Sequence, residues 1–323
     1  LFAAALPGVE ELLAKEIEGL IGSEPTIVPG GVELDGNDET IYRIALGAGL
    51  ASQLMLRVGS FRARRFEALL RETRGLPWAD VLPRGASVAV RAKCRKSRLH
   101  HSGAVEERVA RAIAEARKDQ GKDDDVEPIS VLCRIFHDQV TLSMDLTGAP
   151  LWKRGYRKAT AKAPLREDLA QVLLSVSGWD PKTPLLDPFC GSGTIVIEAA
   201  RIALGMLPGG QRSFDFERAP FFDRARFLRA RAELATLFEA RQSGQGRPVI
   251  HAADRDAGAV EATRENAARA GVAEVIEVHH APLGKVPFFR APLGPGGTLV
   301  TNPPHGRRMG DPKTLRRLYQ SLG

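Results

Sequence analysis

The chain has 323 residues, a formal net charge of +7, 43% hydrophobic and 26% charged residues, with Gly and Pro both plentiful at 32 and 21. This is the balance of an ordinary soluble globular protein, long enough for two or three domains that each bury a core. It excludes a membrane-spanning protein, since no apolar run approaches the roughly 20 residues a bilayer needs.

The first residues, LFAAALP, lack a basic flank and run on into an amphipathic pattern, so no signal peptide is read. The chain opens on Leu1 without an initiator methionine, which implies a trimmed start. Apolar residues at 9, 12, 13, 17 and 20 predict a helix over 9–20. A short strand at 30–35 ends in the Asp35-Gly36 turn, and a second helix covers 41–50. A strand at 54–58, a helix at 66–74 and a strand at 87–91 follow, then a helix over 105–116 with apolar residues at 105, 109, 112, 113 and 116. After the acidic loop GKDDDVEP come strands at 129–137 and 139–145, a hairpin turning near Asp138. Helices alternating with strands and an antiparallel finish make residues 1–148 an α+β module.

Residues 149–165 are a Gly/Pro-punctuated linker, and 166–323 follow a different pattern. A helix at 166–175 precedes the apolar strand of TPLLDPFCGSGT, a Gly-rich turn and a helix at 195–204. An irregular insert, 207–248, holds one helix near 227–241. VIHAADRD is a second strand, 257–270 a helix, EVIEVHHA a third strand and GGTLVTNPP a fourth. Strand–helix–strand–helix order predicts a doubly wound parallel sheet of α/β class, which normally continues beyond a fourth strand. The domain is therefore expected to be incomplete at Gly323.

Charge is segregated. Residues 57–118 hold sixteen Lys/Arg against six Asp/Glu, which is the electrostatic footprint of a nucleic-acid-binding module. Within it Arg91, Lys93, Arg95, Lys96 and Arg98 follow a strand, and aromatic residues are sparse. That pattern favours recognition of phosphates and shape in structured RNA over stacking on a single strand. Lys153, Arg154, Arg157 and the Arg307-Arg308 pair bracket the mouth of the second domain and could hold further phosphates.

Cys94, Cys133 and Cys190 are dispersed, without a C-x-x-C pair, which argues against a disulfide framework or zinc site and fits a reducing cytoplasm. His100-His101 and His279-His280 lack metal-ligand spacing on a helix face, so no metal site is expected; His279 is taken to face solvent. Cys190, with no base adjacent, reads as a packing residue.

The chemistry concentrates at three strand ends. DPFCGSGT puts Gly191 and Gly193 at a strand-to-helix turn, where glycine permits positive φ and close ligand approach. The G-x-G spacing lacks the third glycine of the dinucleotide fingerprint, and G-K-[ST] is missing too. Asp254 ends the second strand, in position to accept both ribose hydroxyls of a nucleoside, while Asp256 suits the cap of the next helix. Asn302-Pro303-Pro304 ends the fourth strand on a rigid polar corner that can be the middle of neither a helix nor a central strand.

LLDPFCGSGT, DRDAGAVEATRENAARAG and TNPPHGRR resemble the S-adenosylmethionine-dependent amino-methyltransferases. LWKRGYRKATAKAPLREDLA, with the N-terminal FAAALPGVEELLAKEIEGL and RAKCRKSRLHHSGAVEERV, resembles the THUMP-containing RNA guanine-N2 methyltransferases among them. KRGYRKATAKAPLRE is most like the large-subunit ribosomal RNA type. The resemblance covers nearly the whole chain. It implies a ferredoxin-like/THUMP RNA-binding region ahead of a Rossmann-like class I methyltransferase domain.

By that likeness Asp187, Phe189, Gly191, Gly193, Thr194, Asp254 and His280 hold S-adenosylmethionine, and Asn302, Pro303, Pro304 and His305 carry the transfer. Two positions depart from the pattern: His305 stands where Tyr or Phe is usual, and His280 where an acid commonly meets the adenine amine. The expectation is a cytoplasmic enzyme methylating guanine N2 in 23S rRNA. The alternatives are a transfer RNA guanine-N2 enzyme, an adenine-N6 methyltransferase, or a non-catalytic RNA-binding protein.

Overall fold

The computed structural model describes residues 1–117, 127–158, 165–242, 249–286, 297–303 and 320. Two compact units form, and neither is contiguous in sequence. The first takes Leu1–Ala45, Ala51–Leu151 and Ser213–Ala230; the second takes Leu46–Leu50, Trp152–Arg212 and Arg231–Gly323. The boundaries read from sequence, at 148 and 166, are contiguous, whereas residues 213–230 of the insert read as irregular belong to the first unit.

The first unit contains β1 (Phe2–Ala4), α1 (Glu10–Ile21), β2 (Thr26–Val28), β3 (Gly31–Glu33), α2 (Asp38–Gly47), β4 (Gln53–Arg62), α3 (Phe66–Arg74), α4 (Trp78–Val81), β5 (Val88–Arg95), α5 (Ser102–Ala116), β6 (Ile129–Phe136) and β7 (Gln139–Asp145). The α1 stripe buries Leu13, Ala14, Ile17 and Leu20, and the helix stops at Gly22, whose φ of 73° allows its N–H to return to the Glu18 carbonyl. A seven-stranded sheet runs β2-β3-β1-β4-β7-β6-β5. Only the β5–β6 pair is parallel; the others are antiparallel.

Period-two alternation puts Ile129, Val131, Cys133 and Ile135 of β6 inward, on the face where α5 sits against β5. The β6–β7 hairpin turns through His137 and Asp138, with φ of 50° and 61°, the primed geometry that follows strand twist. Residues 213–230 add Phe214, Phe216, Phe222 and Phe227 around Tyr42, with ring centroids 5.0–6.4 Å apart within this group.

The second unit contains α6 (Glu167–Val176), β8 (Leu185–Asp187), α7 (Thr194–Ala203), β9 (Ile250–Asp254), α9 (Ala257–Ala270), β10 (Ile276–His280) and β11 (Thr298–Leu299), while α8 (Arg224–Gln242) is shared between the units. The strands are all parallel, in the order β10-β9-β8-β11. One face buries Leu185, Ile250, Ala252 and Ile276 with Ile195, Val196, Ala199, Ala267 and Ala270 of α7 and α9. On the other face Leu186 and Ala253 cluster with Val286. After β8 the chain winds outward to β9 and β10, then returns to the opposite side of β8 as β11. The β8/β11 boundary is thus the place where the winding reverses, and ligands of such sheets bind beyond the strand carboxyl ends there.

Candidate functional site

The carboxyl ends of β8, β9, β10 and β11 bring Asp187, the 188–193 turn, Asp254, His280 and the Thr301-Asn302-Pro303 corner to one edge of the sheet. The turn is tied to β9 through its backbone: Cys190 N–H donates to the Ala253 carbonyl at 3.0 Å and Gly191 N–H to Asp254 Oδ2 at 3.0 Å. Asp254 Oδ1 accepts from Asp256 N–H at 2.9 Å, and Asp256 in turn caps α9 by accepting from Ala259 N–H at 2.9 Å. Half-buried Asp254 therefore sets the loop conformation while leaving each carboxylate oxygen a further lone pair.

The two glycines divide the work. Gly193 has φ +83° and a Cβ there would lie 2.8 Å from Thr263 Cγ2, so it serves packing. Gly191 has φ +57°, and a Cβ there would meet nothing within 4 Å among the described residues. Its backbone borders open space, which is the cradle a ligand needs to lie against the loop and the N-terminus of α7. Phe189 is half-buried beside it. His280 pairs in register with Asp254, is exposed, and has its Nε2 3.0 Å from the Arg255 carbonyl.

Asp187 is turned inward. Its Oδ1 accepts from Thr301 Oγ1 at 2.6 Å and from Phe189 N–H at 3.1 Å. Desolvation pushes this carboxyl up to about 7, against the lowering effect of those two donors. Among the described residues, then, its work is to latch the fourth strand's corner to the Gly-rich turn. Asn302, the next residue, is half-buried, and its carboxamide makes no hydrogen bond to a described residue. Pro304, His305, Arg307 and Arg308 lie outside the described residues.

Three basic or polar positions need correcting. Arg154 is not a phosphate ligand at a pocket mouth: its side chain is 1% exposed, donating to the Gly49 carbonyl at 2.6 Å and lying 3.9 Å from Glu198 Oε2. Glu198 also accepts from Tyr156 Oη at 2.9 Å and Gln171 Nε2 at 2.7 Å, so this is an internal polar network. Arg157 is likewise occupied, by the Leu165 carbonyl at 2.6 Å, Glu167 at 3.0 Å and Thr194 Oγ1 at 3.2 Å. Thr194 is buried with its hydroxyl directed to Arg157 and Leu165, so its side chain serves the scaffold. Lys153 is exposed, its ammonium 5.6 Å from the Trp152 ring. Burial pushes the Cys190 thiol up, and Thr263 Oγ1 is 3.6 Å away, as befits a packing residue.

In the first unit β5 extends to Arg95, so Arg91, Lys93 and Arg95 lie within the strand, not after it, and all point outward. Lys96 and Arg98 continue the exposed row. The register sets Lys93 opposite Arg134 and Arg95 opposite Phe136; both partners are exposed, Phe136 by 42%. Gln139 of β7 and Arg62 of β4 prolong the face, again exposed. Arg62, Arg134 and Phe136 escaped the sequence reading because only strand register brings them beside the basic row; the alternation of β6 was the available signal.

The family described as the RMKL-like methyltransferase domain matches residues 154–323, the RlmL ferredoxin-like domain matches 1–54 and the THUMP domain matches 63–145. The ribosomal RNA large subunit methyltransferase K/L of Syntrophotalea carbinolica is 38% identical over 100% of this chain and 46% of its own length. The putative RNA methyltransferase YpsC of Bacillus subtilis is 33% identical, over 100% of this chain and 83% of that one. A putative methyltransferase solved as a complex with SAH superposes with a TM-score of 0.88 at 32% identity, covering 99% of this chain and 84% of that one. The chain spans about half the length of the first of these relatives. On the fold, the loop and these matches together, the chain belongs to the RMKL-like methyltransferase family, its methyltransferase domain preceded by a THUMP domain.

Proposed function

We propose that the protein transfers a methyl group from S-adenosylmethionine to the exocyclic N2 amine of a guanine in large-subunit ribosomal RNA, in the cytoplasm. The observation that carries this is the 2.6 Å hydrogen bond from Thr301 to Asp187, which holds the Asn302-Pro303 corner beside a Gly-rich turn whose Gly191 backbone faces open space. The named relative, a large-subunit rRNA methyltransferase, supports the choice of RNA.

When bound, S-adenosylmethionine supplies a methyl on a sulfonium, an electrophile activated in advance. Gly191 and the α7 N-terminus would hold the polar end of that cofactor, and Asp254 would accept from its ribose hydroxyls. The guanine amine is a poor nucleophile because its lone pair is delocalised into the ring. Asn302 Oδ1 and the Pro303 carbonyl would accept its two N–H bonds and so present the nitrogen lone pair for methylation; formation of the N–CH3 bond would be matched by loss of the S–CH3 bond, with S-adenosylhomocysteine as leaving group and one N2 proton passing to water. Proline fixes both acceptors, so positioning does the work and no strong base is required. His305 provides the surface on which the extruded base stacks. The exposed row from Arg91 to Arg98 on the first unit holds RNA phosphates.

Calorimetry with S-adenosylhomocysteine tests the cofactor half of this reading. The protein binds one equivalent; Asp254→Ala weakens binding by about tenfold or more, the worth of a hydrogen bond to a charged group, while Asn302→Ala leaves it unchanged. A folded wild-type protein that binds none sinks the reading.

A further inference from the structure

On the sheet face opposite α7 and α9, strands β9 and β10 bring together three metal-ligating side chains that the methyl-transfer reading does not use. Glu277 and His279 are two residues apart on β10, and period-two geometry puts both on one face. His251 of β9 is the direct cross-strand partner of Glu277. His251 Nδ1 lies 3.3 Å and His279 Nε2 3.8 Å from the same Glu277 Oε2, and the three ligand atoms fall within 4.8 Å of one another.

We infer that His251, Glu277 and His279 form a binding site for one divalent ion of the zinc class. Ligand bonds of about 2.0–2.2 Å in a tetrahedron put donor atoms roughly 3.3 Å apart. One separation already has that value, the second is close, and the third closes by a tilt of His279, whose side chain is 30% exposed. Two imidazoles and one carboxylate suit zinc better than calcium or magnesium, which take oxygen donors. A carboxylate and an imidazole at i and i+2 on one strand, with an imidazole on its neighbour, give three donors converging from one side.

The ion would clamp β10, the edge strand, to β9. Asp254 and His280 close the same two strands, so the clamp would stiffen the cofactor-facing edge from behind. A search for ligand spacing on helices passes over this site, because the two β10 ligands are set by strand periodicity and the third by register.

Titrating untagged, chelator-treated protein with Zn2+ by calorimetry, and with Co2+ by visible absorption, tests the inference. One ion binds per chain, Co2+ gives a tetrahedral-type spectrum, and zinc raises the thermal unfolding midpoint. His279→Ala and Glu277→Gln, both at partly exposed side chains, each weaken zinc by at least about tenfold and abolish the stabilisation, whereas His100→Ala changes neither. Absence of saturable binding overturns the proposal, as does zinc binding of equal affinity in the His279→Ala and Glu277→Gln variants.

Discussion

Asp187 sits at the residue scale where stability and function meet. It is 2% exposed, holds Thr301, and carries a carboxyl raised by burial to about 7. A carboxyl raised in the folded state binds its proton more tightly there than in the unfolded chain, so folding is favoured at low pH and that advantage is lost as pH rises from about 4 through about 7. Replacing it by Asn keeps an acceptor for Thr301 and Phe189 and removes the ionisation. Urea unfolding across pH 4–8 should therefore show Asp187→Asn more stable than wild type at pH 8, by on the order of 2–4 kcal/mol, with a shallower pH slope. Part of the slope persists, since Glu167 is also raised to about 7 by burial beside Arg157. An unchanged slope would mean that Asp187 does not ionise in this window. Sequence could name Asp187 but not its direction. An acid at a strand end looks alike whether it faces a ligand or, as here, a threonine 114 residues on. Arg154 and Arg157 show the same limit: composition reports a charge, and only packing reports that it is buried.

Among elements, those with long local periodicity were legible and those held by remote partners were not. The limits of α3 and α9 match the pattern residue for residue, because an amphipathic stripe and a cap are local properties. Two strands, β1 and β2, escaped: each is three residues long and exists through pairing with β3, and β1 also pairs with β4. The Gly-rich turn was legible as a turn, yet the different duties of its glycines were not. Substituting each by Ala separates them. Gly193→Ala forces a Cβ against Thr263 at positive φ and should cost about 1–3 kcal/mol in denaturant unfolding. Gly191→Ala carries only the cost of a left-handed φ of +57°, about 1–2 kcal/mol, and meets no atom within 4 Å among the described residues, so any loss beyond that should fall on S-adenosylhomocysteine affinity. Equal effects of the two on stability, with equal effects on binding, would deny that division.

At the scale of the whole molecule, the sequence showed two halves and two patterns, but not the exchange of segments between units. Residues 213–230 follow the Gly-rich turn in sequence and yet complete the aromatic cluster around Tyr42, while 46–50 pass the other way. Their run of phenylalanines was the visible trace; its destination depends on tertiary contact. The basic face was half legible for the same reason, since charge clustering named Arg91, Lys93 and Arg95 as residues following a strand, whereas only the structure puts them within β5 and only register adds Arg134 and Phe136. This exposed aromatic beside arginines gives the face a stacking element that composition had argued against.

In the proposed function one chain grips RNA and methylates a guanine amine at the Asn302 corner. Its most direct test is transfer from labelled S-adenosylmethionine to unmodified large-subunit ribosomal RNA, with transfer RNA alongside and nucleosides resolved by mass spectrometry. The account predicts N2-methylguanosine in the ribosomal RNA, a kcat lower by about 10²–10³-fold in Asn302→Ala, and a raised KM at unchanged kcat in Lys93→Glu/Arg134→Glu. N6-methyladenosine, or no methylated nucleoside from protein that binds S-adenosylhomocysteine, would contradict it.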